Sequence, residues 1–308
     1  MPAPLPSALT QIGVPRDDIK RGVAYTCIAT FVFSTFNVVI KWLSDAYPIA
    51  ELVFFRSFFA LVPCLFLVWR AGGAASLRTN RPLAHLVRAA IWLTSFCCTF
   101  ISLHLLPLAD AVAYSFAAPL FLTALSVPIL GEKVGPHRWG AVLVGFVGVL
   151  VMAHPSGDVL KWGALFGIGN ALFYALGSLS VRQLSRTESS VSIVFYTQLF
   201  GAALSGLAVP FAWTTPSALD AAIMITTGIA GGIAQYWMTQ AYRYAPAAVV
   251  APFTYGAIVW ATLFGYLVWS DLPTRAVLIG AAIVIASGLY ILHRETKRAA
   301  QAAAASAE

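Results

Sequence analysis

Charge is what this chain has least of. Only 10% of its 308 residues are charged, against 59% apolar, and the mean hydropathy is +0.81. A soluble domain carries about 25% charged residues, because a surface facing water needs them. A water-soluble fold of this size is therefore excluded. The formal net charge of +7 does not point to nucleic acid, since the basic residues form no groove-like cluster with interleaved aromatics. Cysteine is also scarce. Cys27, Cys64, Cys97 and Cys98 all fall inside apolar stretches, with neither metal-ligand spacing nor a position in a polar loop where an oxidising compartment would use a staple. The five histidines, His85, His104, His137, His154 and His293, are scattered near the ends of apolar runs. A membrane-embedded metalloenzyme instead pairs His, Asp or Glu at membrane depth. No metal, no other cofactor and no enzymatic activity are expected. No cleavable leader is read either: residues 1–21 are polar or contain proline, and the first apolar run leads straight into others.

What the chain does have is long apolar runs. A helix crossing a bilayer needs about 20 largely apolar residues. Ten such runs stand at 22–42, 47–69, 84–105, 107–130, 135–153, 159–181, 190–212, 217–241, 246–269 and 275–293. The joins are short, so one all-α polytopic bundle is expected, with tails at 1–21 and 294–308. With the N-terminus inside, fifteen of the nineteen Lys and Arg residues, Arg88 among them, fall on inner segments. Lys41, Lys161 and Arg275 mark outer ends, and Arg56 is intramembrane. That asymmetry is the positive-inside pattern, and it places both termini in the cytoplasm.

The chain also repeats itself. Shifted by 141, residues 41–60 lie over 182–201 with Leu43/Leu184, Ser44/Ser185, Val53/Val194, Phe54/Phe195 and Phe59/Phe200 identical, and Gly22/Gly163 opens both copies. Shifted by 139, residues 106–121 lie over 245–260, with Pro107 and Pro246 just ahead of a long span. An acidic residue follows each of these spans (Glu132, Asp271), and then glycines (Gly140, Gly148; Gly280, Gly288). The repeats are 22–153 and 159–293. Each holds five spans, an odd number, so the second must enter the membrane from the opposite side. Inverted repeats of this kind belong to secondary transporters, which hold cargo near midplane between the halves and alternate access by rocking.

At Leu106, Pro107, Ala109, Ala111, Pro119, Phe121, Gly131, Glu132, Gly140, Gly145 and Gly148, with Arg56 in FFRSFFAL, the chain resembles the EamA family of the drug/metabolite transporter superfamily. The likeness covers essentially the whole chain; the second copy departs, with Ser270-Asp271 in place of Gly-Glu. The length and layout are similar to the YddG-type aromatic amino-acid exporters. The resemblance implies a multi-pass carrier of the bacterial inner membrane, exporting amino acids or similar small zwitterions by alternating access. Relatives of this kind also carry S-adenosylmethionine, riboflavin, sugars and drugs. A monomer or weak homodimer in the lipid bilayer is expected.

Residues that could line a cavity recur at helical spacing. Thr26, Thr30, Phe33 and Asn37 share a face of the first span. Asn170, Tyr174 and Ser178 do so in the sixth, Trp92, Ser95, Phe96 and Thr99 in the third, and Gln235, Tyr236, Trp237 and Thr239 in the eighth. Tyr114, Ser115, Thr254 and Tyr255 lie close to Pro119 and Pro252, which remove a backbone bond and favour kinks suited to gating. Such a cavity is neutral, aromatic and hydrogen-bonding, and fits a small zwitterion through stacking and cation–π contact. Each polar member has a plainer role as glue between helices. Arg56, about 14 Å deep at 1.5 Å per residue, either binds a substrate carboxylate or holds neighbouring helices. Asp110 reads as a helix N-terminal residue favoured by the dipole, and Glu132 and Lys133 as interface charges. No carboxylate falls in the middle of a span, which favours a facilitator or exchanger over a proton-driven carrier. The alternative is an exporter or importer of another metabolite or a cationic drug, coupled to protons through His104, Asp110 or Arg56.

Overall fold

The computed structural model describes residues 16–131, 134–152, 158–185, 187–245 and 247–305. Glu132, Lys133, His154 and Pro246 lie outside the described residues, as do the ends of both tails. Thirteen α-helices are seen among the described residues. They are α1 (Arg16–Leu43), α2 (Ile49–Phe59), α3 (Leu61–Arg70), α4 (Pro82–Leu105), α5 (Leu108–Ser115), α6 (Ala118–Leu130), α7 (Pro136–Met152), α8 (Asp158–Leu184), α9 (Ser190–Gly206), α10 (Ala218–Tyr244), α11 (Ala247–Thr254), α12 (Ala257–Trp269) and α13 (Arg275–Ala305). A helix satisfies its own backbone in an apolar medium, which is why apolar runs this long fold this way. Serines fix two starts. The Ser189 hydroxyl accepts from the Ser192 N–H, and that of Ser217 from the Asp220 N–H.

Among the described residues eight helical segments are long and apolar enough to cross a bilayer, and α7 is a shorter apolar helix. The remaining expected span, 246–269, is divided between α11 and α12. Large apolar side chains such as Trp42, Trp69, Leu83, Leu150 and Leu207 stay more than half exposed, as a lipid-facing surface requires. Buried small polar side chains return their hydroxyls to their own helix: Thr26 to the Gly22 carbonyl, Thr197 to Ile193, Ser205 to Gly201.

The repeat is visible as paired contacts. The helix α4 lies along α8 as α1 lies along α10, while α7 and α13, like α2 and α9, pack on their own counterparts. A Cβ on Gly22 would come within 2.5 Å of Ala245, and one on Gly163 within 2.5 Å of Leu106. By the shifts of 141 and 139 these are one contact made twice, at opposite ends of the bundle. The spans α5–α6 and α11–α12 break at matching places, and the residues at the breaks, Phe116 and Tyr255, meet edge to face at 5.0 Å. They therefore mark the pseudo-twofold axis. Pro119 is the second residue of α6, directly after the first break, whereas Pro252 lies inside α11, three residues before the second. The second break thus has no proline at the equivalent position (Ile258), so proline alone does not cause it. A break at Ala60 between α2 and α3, just ahead of Pro63, was not expected from the sequence.

Candidate functional site

Arg56 sits in the last turn of α2, immediately before the break at Ala60. Its guanidinium carbon lies 3.6 Å from the centroid of the Phe96 ring and 5.1 Å from that of Phe36. Its Nε and Nη1 are buried without a hydrogen-bond partner. A buried guanidinium with idle N–H groups is costly, because those donors have given up water for nothing. Such an arrangement suits a site whose partner arrives from outside the chain, and a guanidinium fork matches a carboxylate best.

The aromatic wall continues along α4. Arg88, Trp92, Phe96 and Phe100 recur every four residues, one above the other. Trp92 is 5.6 Å from Phe96 and 5.1 Å, edge-on, from Tyr174 of α8. Its Nε1 is buried and unpartnered. The next face of α4 is tied to α8, the Ser95 hydroxyl donating to Asn170 Oδ1 at 2.8 Å, and Thr99 returns its hydroxyl to the Ser95 carbonyl. The structure thus brings Arg56, Trp92, Phe96, Asn170 and Tyr174 together, with Thr99 one turn along.

Other expected members stand elsewhere. Tyr114 is buried and donates to the Met152 carbonyl at 2.8 Å, tying α5 to the end of α7. Tyr255 is at the axis against Phe116. Phe33 and Asn37 are half-buried, and it is Phe36, on the core side of α1, that reaches Arg56. Gln235 is exposed and Trp237 half-buried on α10. Charge counting places Arg88 on an inner segment. It lies within the second turn of α4, 5% exposed, its Nη1 donating to the Ile193 carbonyl of α9 at 3.1 Å. Two further titratable side chains are buried, His85 and Glu51. The first is fully buried, 3.6 Å from Glu188. The second accepts from the Thr214 N–H. Both open a span, where composition cannot tell burial from interface.

The bundle ends differ. At one, Lys41 donates to the Leu103 and Leu106 carbonyls at 3.0 and 2.6 Å, closing α1 onto the C-terminus of α4, and lies 5.4 Å from the Trp269 ring. Tyr47 there donates to Asp220 at 2.6 Å. Asp110 is 3% exposed, with Oδ1 unpartnered. There α5 packs on α12; among the described residues neither the equivalent pairing of α11 with α6 nor that of α8 with α10 is substantial at the opposite end. That opposite end also holds two cavities, about 210 Å³ beside Arg21, Tyr25 and Tyr244 and about 570 Å³ between α4, α6 and α8.

The family described as the EamA-like transporter family matches residues 20–153 and again 161–292. A riboflavin transporter of Rhizobium johnstonii is 31% identical over 292 residues, covering 94% of this chain and 96% of its own length. An S-adenosylmethionine uptake transporter of Rickettsia felis is 27% identical over 276 residues, 90% of this chain and 94% of that protein. A pseudopaline exporter of Pseudomonas aeruginosa is 31% identical over 274 residues, 87% and 95%. A solved crystal structure superposes with a TM-score of 0.62 at 20% identity, over 90% of this chain and 97% of its own, and shares the fold alone. The chain belongs to the EamA-like transporter family: it is a multi-pass membrane transporter, not an enzyme.

Proposed function

We propose that this EamA-family chain is an inner-membrane carrier, operating as an exporter, of amino acids or amino-acid-derived zwitterions, aromatic ones included. The observation that carries the reading is Arg56: a buried guanidinium over the Phe96 ring, with two nitrogens idle and no acidic side chain to claim them. The solute carboxylate pairs with that fork while its apolar part stacks along Phe96 and Trp92 and its ammonium meets ring faces. S-adenosylmethionine, the cargo of one group of relatives, carries such an amino-acid head. With both termini cytoplasmic, the closed Lys41 end faces outward and the loosely packed end, with both cavities, faces in. The state described then loads from the cytoplasm. Export follows when the two repeats rock about the Phe116–Tyr255 axis, the Lys41 end opening as the other closes.

The test is counterflow in proteoliposomes preloaded with unlabelled amino acids, following labelled phenylalanine, methionine and threonine without an ion gradient. Saturable accumulation that depends on preloading, and is lost in Arg56→Gln, is expected. Accumulation by Arg56→Gln equal to wild type overturns the site, and none by wild type overturns the cargo. Proton coupling is a second reading, favoured by Asp110, buried with an unpartnered oxygen at the closed end. Activity appearing only under an imposed pH gradient would establish it.

A further inference from the structure

Arg88 repeats the situation of Arg56 eight residues below Phe96 on the same helix. Its guanidinium carbon is 5.9 Å from the Trp92 ring, and its Nε is buried with no partner. The bond to the Ile193 carbonyl occupies one of five N–H donors. Holding α4 against α9 therefore explains part of this side chain and leaves Nε without a partner. Arg88 also lines the cleft of about 570 Å³ between α4, α6 and α8, together with Arg81, Val87, Leu179 and Gln183. That volume is within the range that holds small ligands. Arg81 and Arg88 are seven residues apart, two turns on one face, so the cleft has a cation near its mouth and another about 10 Å deeper.

Trp92 and Phe96 stand between Arg88 and Arg56, each in ring contact with the guanidinium nearer to it. The Trp92 indole is wedged opposite Gly177, where any Cβ would lie within 2.8 Å of Nε1, and it touches Phe96 on the far side. Two guanidiniums thus stand at the two ends of one aromatic pair, each with a buried Nε–H that meets no acceptor.

We propose that Arg88 forms a second, peripheral carboxylate site in the cleft between α4, α6 and α8, where the solute is first held before it passes Trp92 to reach Arg56. This rests on the carboxylate-carrier reading above. The peripheral site raises the local concentration of solutes bearing a carboxylate and discriminates against those without one, while Arg56 holds them at the centre.

The experiment is counterflow of labelled phenylalanine in phosphatidylcholine vesicles and in vesicles with added phosphatidylglycerol, for wild type, Arg88→Gln, Arg88→Lys and Val87→Trp. Loss of one charge-assisted bond predicts a half-saturating concentration about tenfold higher in Arg88→Gln with an unchanged maximal rate, and partial rescue by Arg88→Lys. Val87→Trp, on an exposed face of the cleft that leaves the Arg88–Ile193 bond intact, is expected to raise it likewise, so the result stands even if Arg88→Gln folds poorly. A lower maximal rate and melting temperature at unchanged half-saturation in Arg88→Gln, with Val87→Trp silent, means a structural arginine and overturns the site. An effect present only with phosphatidylglycerol assigns the cleft to lipid phosphate and overturns it too. A wild type that moves phenylalanine while every variant matches it sinks this inference alone, whereas a silent wild type sinks the cargo reading beneath it.

Discussion

The joint between α4 and α8 and the joint between α1 and α10 are the same joint built twice, and they are filled in opposite ways. In the first, Trp92 on α4 fits against Gly177 on α8. In the second, the equivalent of Trp92 is Gly231 on α10, and it lies opposite Phe36 of α1, the equivalent of Gly177, where an added Cβ would lie 4.0 Å from the ring. Large and small have changed places across the repeat. The same holds around the candidate site: Phe36, Arg56, Trp92 and Phe96 correspond to Gly177, Thr197, Gly231 and Gln235. The duplicated frame needs two-fold symmetry to present itself alternately to both sides of the membrane. A solute without two-fold symmetry needs a site that breaks it. The aromatic and cationic groups have accordingly gathered on one repeat, and the other supplies the space.

The sharpest way to break that comparison is to exchange charge for neutrality at equivalent positions. Arg56→Gln removes a charge-assisted contact and is expected to lower transport at subsaturating solute about 10- to 100-fold. Its folded fraction should hold, since the buried guanidinium is unpaired. Thr197→Ala, at the matched position, removes only a hydroxyl bonded to its own helix at Ile193, and transport within about twofold of wild type is expected. Equal losses would mean that both repeats contribute alike to binding.

Next come the two glycines. A methyl on Gly177 meets three indole atoms of Trp92 between 2.8 and 3.2 Å, whereas one on Gly231 makes only an ordinary contact. Gly177→Ala is therefore expected to cost about 1–3 kcal/mol through overpacking and to displace Trp92. Gly231→Ala should be neutral or stabilise by up to about 1 kcal/mol, as alanine does inside a helix. Thermal unfolding of the two variants in detergent, with phenylalanine transport alongside, checks both.

The repeat and the bilayer-length helices were legible in the sequence, and Arg56 stood out as a candidate, because these depend on local pattern: hydropathy of bilayer length, shifts of 139 and 141, a lone cation in an apolar run. Which face of a helix looks inward was not. On α1 the polar residues Thr26 and Thr30 suggested the face carrying Phe33 and Asn37, yet Phe36 reaches Arg56, because a helix packed on several neighbours has more than one buried stripe. Arg88 looked like a topology marker, since sequence cannot distinguish a snorkelling end-of-span arginine from one folded back onto a carbonyl of α9. The second helix break could not be read from proline either, as Pro252 and Pro119 occupy different positions relative to it.

A smaller effect tests the difference between the two ends. Lys41 closes α1 onto α4 through the Leu103 and Leu106 carbonyls, and its counterpart by the repeat is Arg182. Lys41→Met keeps the length of the stem and removes the ammonium. For a partly exposed cation about 1 kcal/mol is at stake, a roughly fivefold shift toward opening at that end. Maleimide labelling of Leu108→Cys, at a fully buried position there, should speed up by that factor. An unchanged rate would mean that packing of α5 on α12 alone keeps the end shut.

The smallest expected effect belongs to Tyr47, whose hydroxyl donates to Asp220 across the repeats at the same end. The hydrogen bond to that carboxylate raises the phenol above its usual value of about 10. Only the protonated phenol can donate, so the clasp is complete below about pH 10 and is lost as pH rises through the raised value in the folded protein. Tyr47→Phe should therefore melt slightly lower than wild type at neutral pH, and the two curves should converge above that range. The Ser217 hydroxyl, which also donates to Asp220 at 2.8 Å, keeps the carboxylate satisfied in the variant and limits the loss. A gap that persists unchanged at high pH would show that Tyr47 acts by packing, and that Lys41 carries the polar closure of this end without it.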